Sequence, residues 1–294
     1  MDFELIHKDA RGVITTSFFK MYLLGFIKHA TFAGMNSQIY HNYYHYLHHA
    51  FRYLSLFYEF YPSFIPGYHF KLLKSLSRDP TETAYLSNKI GRAVADYLSK
   101  NKYGARFTHC YEDAMRIKGI PIAGQRPDFY CENLREQFSV EAKGFSSKSV
   151  SDYAMRKHKT QSGTGPLLVN FSVASVAYNL YQSPKVKFYD PIKDGVPYDA
   201  DLNSKLRDEY YRSALKFIRY ISEEPKESGL ADYISYRHSI SGFSAIKFLV
   251  HRVIHDGKWE TGEQFSSTEY LAEHYQNEDI YIDVDGIGIM WSTW

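Results

Sequence analysis

Two short stretches restrict this chain more than anything else in it: residues 126–131 (Arg-Pro-Asp-Phe-Tyr-Cys) and 138–144 (Phe-Ser-Val-Glu-Ala-Lys-Gly), joined by the short, mostly polar link 132–137. A link of that length brings two strands together as an antiparallel hairpin. Side chains alternate along a strand, so Glu141 and Lys143 share one face. Asp128 then lies across from Glu141. Two carboxylates meeting beside an ammonium group are costly to bury unless they are used. The use that fits is a hard divalent cation. Mg2+, with Mn2+ as an alternative, takes oxygen ligands and lowers the pKa of a bound water. Asp128, Glu141 and Lys143 are therefore the candidate catalytic residues. Asp128, Glu141 and the backbone carbonyl of Ala142 are the candidate metal ligands, with Lys143 placed to orient the attacking water.

The surroundings read as alternating elements. Asp79-Pro80-Thr81-Glu82 is a helix start, and Tyr85, Leu86, Ile90, Val94, Tyr97 and Leu98 carry helical spacing onward from it. A second helix spans 149–161 and is closed by Gly163. Strands are expected at 167–173 and 186–189, giving the order helix, strand, strand, helix, strand, strand. Further on, Leu206, Tyr210, Ala214, Phe217 and Ile221 mark a helix over 201–221. Strands follow at 245–254 and 280–290, the latter with a hairpin turn at Asp285-Gly286. Three regions result: an aromatic-rich, helical 1–78, a core 79–195, and a C-terminal 196–294 able to add strands to that core. In the first region His41, His45 and His49 fall at helical spacing with His48 alongside. No acid or cysteine stands near to complete a zinc site, so packing is the expected role.

Pro127-Asp128 followed by Glu141-Ala142-Lys143 resembles the defining motif of the PD-(D/E)xK nuclease superfamily, the restriction-endonuclease-like proteins. The resemblance spans roughly residues 80–190 and implies an α/β core, a central mixed sheet flanked by helices, with the N-terminal helical region as an extension. It implies Mg2+-dependent hydrolysis of DNA phosphodiester bonds by an endonuclease, with restriction or antiviral defence as the biological setting. DNA and a homo-oligomer or partner protein are the expected partners. Gln161 and Lys157, on the helix after the motif, are its implied supporting residues. Many members add a third acid from the preceding helix. Here Ala95 stands where a Glu is expected, with Asp96 its neighbour, leaving Glu82 or, preferably, Glu112. The same residues also suit a nuclease of RNA or branched DNA, or a non-enzymatic nucleic-acid-binding or assembly subunit that retains the fold.

Composition bears on the substrate. Net charge is only +2, so any phosphate-binding surface has to be local. Residues 143–160 supply one: Lys143, Lys148, Arg156, Lys157 and Lys159 face a single acid, Asp152. Lys148, Arg156 and Lys159 are the candidate DNA contacts. Two cysteines imply no disulfide framework. The apolar stretch 21–27 is too short to cross a bilayer, and a basic secretory start is missing, so the expected compartment is the cytoplasm.

Overall fold

A computed structural model describes residues 1–35, 43–64, 70–71, 79–190, 195–240, 242–261 and 275–291. The chain opens with a hairpin, β1 (Asp2–Lys8) and β2 (Ile14–Lys20), followed by helices α1 (Leu23–Phe32), α2 (Tyr43–Phe64) and α3 (Pro80–Tyr103). Next come β3 (Phe107–Cys110), α4 (Tyr111–Ile117), β4 (Phe129–Glu132), β5 (Gln137–Gly144), α5 (Asp152–Ser162), β6 (Phe171–Tyr178) and β7 (Lys185–Tyr189). The last part holds α6 (Ala200–Ile221), β8 (Lys226–Glu227), β9 (Tyr233–Arg237), β10 (Ile246–His251), α7 (Arg252–His255), β11 (Tyr275–Gln276), β12 (Ile280–Ile282) and β13 (Ile287–Trp291).

This is an α/β protein with two sheets. The first has seven strands in the order β2-β1-β7-β6-β5-β4-β3. Strands β3, β4 and β5 form an antiparallel meander; α5 then crosses over so that β6 runs parallel to β5. The chain returns antiparallel in β7, which pairs in parallel with β1. The second sheet, β11-β12-β13-β10-β9-β8, is antiparallel throughout.

Two expectations need correcting. The N-terminal region does not begin as a helical extension, because its first residues are the β1–β2 hairpin at the edge of the main sheet. The cause is local: Phe3 and Leu5 alternate inward along β1, while β-branched Ile14, Thr15 and Thr16 favour strand in β2. The C-terminal strands, likewise, build their own sheet rather than lengthening the first one.

The two faces of the main sheet carry different helices. Phe138, Val140, Ala142, Phe171, Val173 and Ala177 belong to the core that includes Ile90, Val94 and Leu98 of α3. Ala174, Val176 and Tyr178 pack with Met155 of α5 on the opposite face. By alternation along β5, Ser139, Glu141 and Lys143 stand on the α5 side. Helix α3 starts where the sequence indicates, with Asp79 accepting from the Thr81 N–H at 2.8 Å and Pro80 in the first turn.

Helix α3 lies against β5 at glycines. A Cβ on Gly144 would stand 1.7 Å from the Ser87 carbonyl oxygen, and one on Gly91 would stand 2.4 Å from the Lys143 backbone. Neither neighbour is a side chain that can swing away. Gly144→Ala is expected to force α3 off the strand at a cost of about 1–3 kcal/mol. A variant with an unshifted urea midpoint would show that the contact is slack.

Several imidazoles are buried in the described core. His49 and His109 are pushed down to about 3 and His238 to about 4, in each case chiefly by burial. Their folded values lie below the free value, so the unfolded chain takes up protons that the native one refuses. The contribution of these imidazoles to stability should therefore be level above about pH 6.5 and fall toward pH 4, by up to ~1.4 kcal/mol per pH unit for each imidazole. Urea midpoints across this range provide the check; a flat profile would mean these rings protonate in place.

Candidate active site

The register of β4 on β5 sets the site. Phe129 pairs with Val140, which puts Asp128, at the entrance of β4, level with Glu141. The Asp128 N–H donates to the Val140 carbonyl at 3.1 Å, continuing the ladder one residue beyond the strand. The Lys143 ammonium lies 3.1 Å from Asp128 Oδ2 and 2.5 Å from Glu141 Oε1. Asp128, Glu141 and Lys143 are thus brought together.

Asp128 is the best-held of the three. Its Oδ2 accepts from the Ala142 N–H at 3.0 Å, and its Oδ1 from Arg92 Nη1 of α3 at 3.1 Å. In an extended strand a residue's N–H and C=O face the same edge, so the Ala142 carbonyl is directed toward Asp128 as well. Glu141 differs. Its side chain is fully buried, and among the described residues neither carboxylate oxygen has a well-aligned hydrogen-bond donor, although the Lys143 ammonium is close. Burial, and then the nearby charge of Asp128, push the Glu141 carboxyl up to about 7. Burial would lower Lys143, but Asp128 and Glu141 outweigh it and hold the ammonium above its usual value.

The metal expectation can be tested against that chemistry. Asp128 and Glu141 offer anionic oxygens, the Ala142 carbonyl a neutral one, and the two Glu141 oxygens are buried acceptors short of donors. An all-oxygen set of this kind fits Mg2+ or Mn2+.

The supporting residues divide. Gln161 donates weakly to the Arg126 carbonyl at 3.4 Å and lines a pocket of about 350 Å³ with Asp128, Arg92, Glu112 and Arg126. Glu112 is on the wall of that pocket but is tied to Arg126, whose Nε lies 2.8 Å away. Glu82 is exposed in the first turn of α3. The helix position facing Asp128 is taken by the cation Arg92, while Ala95 is buried and Asp96, one turn on, is engaged by His29 and Thr108. Lys148, Arg156 and Lys157 are exposed. Lys159 is not a surface cation: it donates to the Ser172 carbonyl at 2.6 Å and to Ser172 Oγ at 2.9 Å, and burial lowers it to about 8. A helical wheel could not show that α5 turns this lysine onto β6. Of the histidine ladder, His41 lies outside the described residues, His45 and His48 are exposed, and His49 packs edge-on against Phe217 with ring centres 4.6 Å apart.

Two features escaped the sequence. His158, on the face of α5 toward the sheet, packs tilted against Phe145, and its buried Nδ1 has no hydrogen-bond partner among the described residues. Burial, then Lys143 and Lys157, lower it. The second is a buried ionic cluster away from the site. Lys28 contacts Asp283 and Asp285, and Lys100 lies 2.5 Å and 3.0 Å from the same carboxylates. Beside them His29 bridges Asp96 at 2.6 Å and the Tyr281 hydroxyl at 2.5 Å. His29, Asp96 and Asp283 have metal-ligand spacing, but two ammonium groups already neutralise these acids. A visible signal existed: Lys28-His29 interrupts an apolar helix, and Asp283 and Asp285 interrupt apolar strands.

Comparison with known protein families, characterised proteins and solved structures returns no match.

Proposed function

We propose that this chain is a metal-dependent nuclease that hydrolyses DNA phosphodiester bonds. The observation that carries the proposal is the meeting of Asp128 and Glu141 across paired strands with the Lys143 ammonium touching both. The order of elements lends support. A long helix, an antiparallel meander, a crossover helix and a parallel fourth strand are what resemblance to the PD-(D/E)xK superfamily implies for a restriction-endonuclease-like core. Restriction or antiviral defence as the setting rests on that resemblance alone.

Bound Mg2+ would supply Lewis acidity, neutralising phosphate charge and making a coordinated water more acidic. The protein's own groups do the rest. Asp128, Glu141 and the Ala142 carbonyl would hold the ion at the end of the hairpin. Lys143, kept protonated by two carboxylates, is placed to orient the attacking water and offset the charge that builds on the phosphate. Burial of Glu141 excludes water from one side, which strengthens each of these charges.

The test is a cleavage assay on duplex DNA, single-stranded DNA, a junction and RNA, with Mg2+ or EDTA, beside Asp128→Ala. Cleavage should need the metal and vanish in the variant. Cleavage that survives Asp128→Ala, or none from the wild type on any substrate, overturns the proposal.

A further inference from the structure

A second cavity adjoins the carboxylate site. It has a volume of about 270 Å³ and is walled by the C-terminal end of α1, one face of α2, and α3. His49, Arg52 and Tyr53 reach it from α2, and Lys89 and Arg92 from α3. Helical spacing explains both sets: positions i, i+3 and i+4 share a face, as do i and i+3. Arg92 and Cys110 belong to this cavity and also to the pocket that holds Asp128. The two spaces share these two walls, and Arg92 stands between them.

The lining is one-sided in charge. Arg52, Lys89 and Arg92 contribute cations, and among the described residues no carboxylate lines the cavity. Lys89 is partly satisfied by Glu59 at 3.0 Å, and Arg92 by Asp128 at 3.1 Å. Arg52 is exposed and makes no ion pair among the described residues. His49 is kept neutral by burial, so it offers a ring and not a charge. The neutral His49 imidazole between cations suits a sugar or base better than a free inorganic ion, with Tyr53 as backing, its ring packed on Phe57, Phe217 and Phe248. A cavity of about 270 Å³ is too small for a base pair with its two sugars and phosphates, so what enters it is a single nucleotide.

We propose that this cavity seats the nucleotide next to the scissile phosphate, taken from an unpaired strand, with Arg52, Lys89 and Arg92 holding its phosphate. The proposal rests on Asp128, Glu141 and Lys143 being the cleavage centre, because it is their position that makes the cavity adjacent to the cut. Single-stranded DNA, or a duplex end that can fray, becomes the substrate class.

The experiment measures binding, not turnover. In EDTA, fluorescence anisotropy compares a short labelled DNA oligonucleotide, single-stranded and as a duplex, for wild type, Arg52→Ala and Arg52→Lys. The single strand should bind more tightly than the duplex. Arg52→Ala should weaken it about tenfold, the loss expected for one charge-assisted contact, and flatten the plot of log affinity against log salt by about 0.7. Arg52→Lys should restore the slope. Because Arg52 is exposed and makes no ion pair among the described residues, folding is not at issue; Lys89→Ala should act in the same direction. A duplex bound as tightly as the single strand, or an unchanged slope in Arg52→Ala, overturns the proposal. Failure here can be told from failure of the nuclease reading. Cleavage that needs Asp128 but ignores Arg52 removes only the cavity. Strand binding that needs Arg52, in a protein that cuts nothing, removes only the cleavage centre.

Discussion

Glu141→Gln should reduce cleavage by about three orders of magnitude or more, the scale expected when a group acting at the reacting centre is lost, yet leave the metal-free protein no less stable. The two halves of this result have one cause. Glu141 is fully buried, both its oxygens lack aligned donors, and it faces the like charge of Asp128. Ionised carboxylate in that position is a burden to the fold and is kept near neutrality by its surroundings. An amide of the same shape removes the charge and loses only the Lys143 contact, which Lys143 still makes with Asp128 at 3.1 Å. Activity is lost because an anionic ligand is lost. Lys143→Met should have the opposite balance: cleavage falls comparably, but two acids are left facing each other without their shared cation, and stability falls too. Urea midpoints in EDTA, set beside cleavage rates in Mg2+, separate the cases. A Glu141→Gln protein that is clearly destabilised would mean the carboxylate is structural, and the site would lose its functional reading.

The parts of the molecule legible in the sequence are those fixed by short-range rules. The hairpin carrying Asp128 and Glu141 could be read because a short link and strict alternation leave little freedom of register. Helix α3 announced itself by its Asp79-Pro80 start and apolar spacing, α5 by its closing Gly163 and α6 by apolar spacing; Asp79 does accept from the Thr81 N–H, while the caps Ser151 and Asp199 went unread. What could not be read depends on distant partners. Strand β1 is a strand because β7, some 180 residues on, offers it an edge. Arg92 reached Asp128 only once α3 was laid across β5, and its sequence neighbours gave no hint of it. The direction of Lys159 is decided by Ser172 on β6, which the shifted boundary of that strand concealed. The cavity beside the site is still further from sequence reasoning, since α2 and α3 supply its cations separately.

The largest effect on folding should come from the ionic cluster. Lys100→Met is expected to cost about 3–5 kcal/mol, because it strands buried carboxylates that a single remaining lysine cannot balance. Asp283 and Asp285 are fully buried, and Lys100 lies 2.5 Å and 3.0 Å from them. Asp283 is held well below the usual carboxylate range: burial opposes this, but Lys100 and Lys28 overcome it. Against a typical domain stability of about 5–15 kcal/mol, the loss would leave a substantial unfolded fraction. Adding Asp285→Asn to Lys100→Met should recover much of it, since a buried pair is worth little against a neutral replacement while a broken one is expensive. A double-mutant cycle in urea measures the coupling, and a Lys100→Met cost below about 1 kcal/mol would show the acids to be protonated in the fold. The cluster also explains why the two sheets should melt together. Lys100 on one side of α3 holds the β12–β13 turn, while Ser87 and Gly91 on the other side meet β5. The helix that presents Arg92 to the site is therefore clamped between both sheets, and a single unfolding transition is expected. Two transitions in the wild type would mean that the charges pack the C-terminal sheet without coupling it to the core.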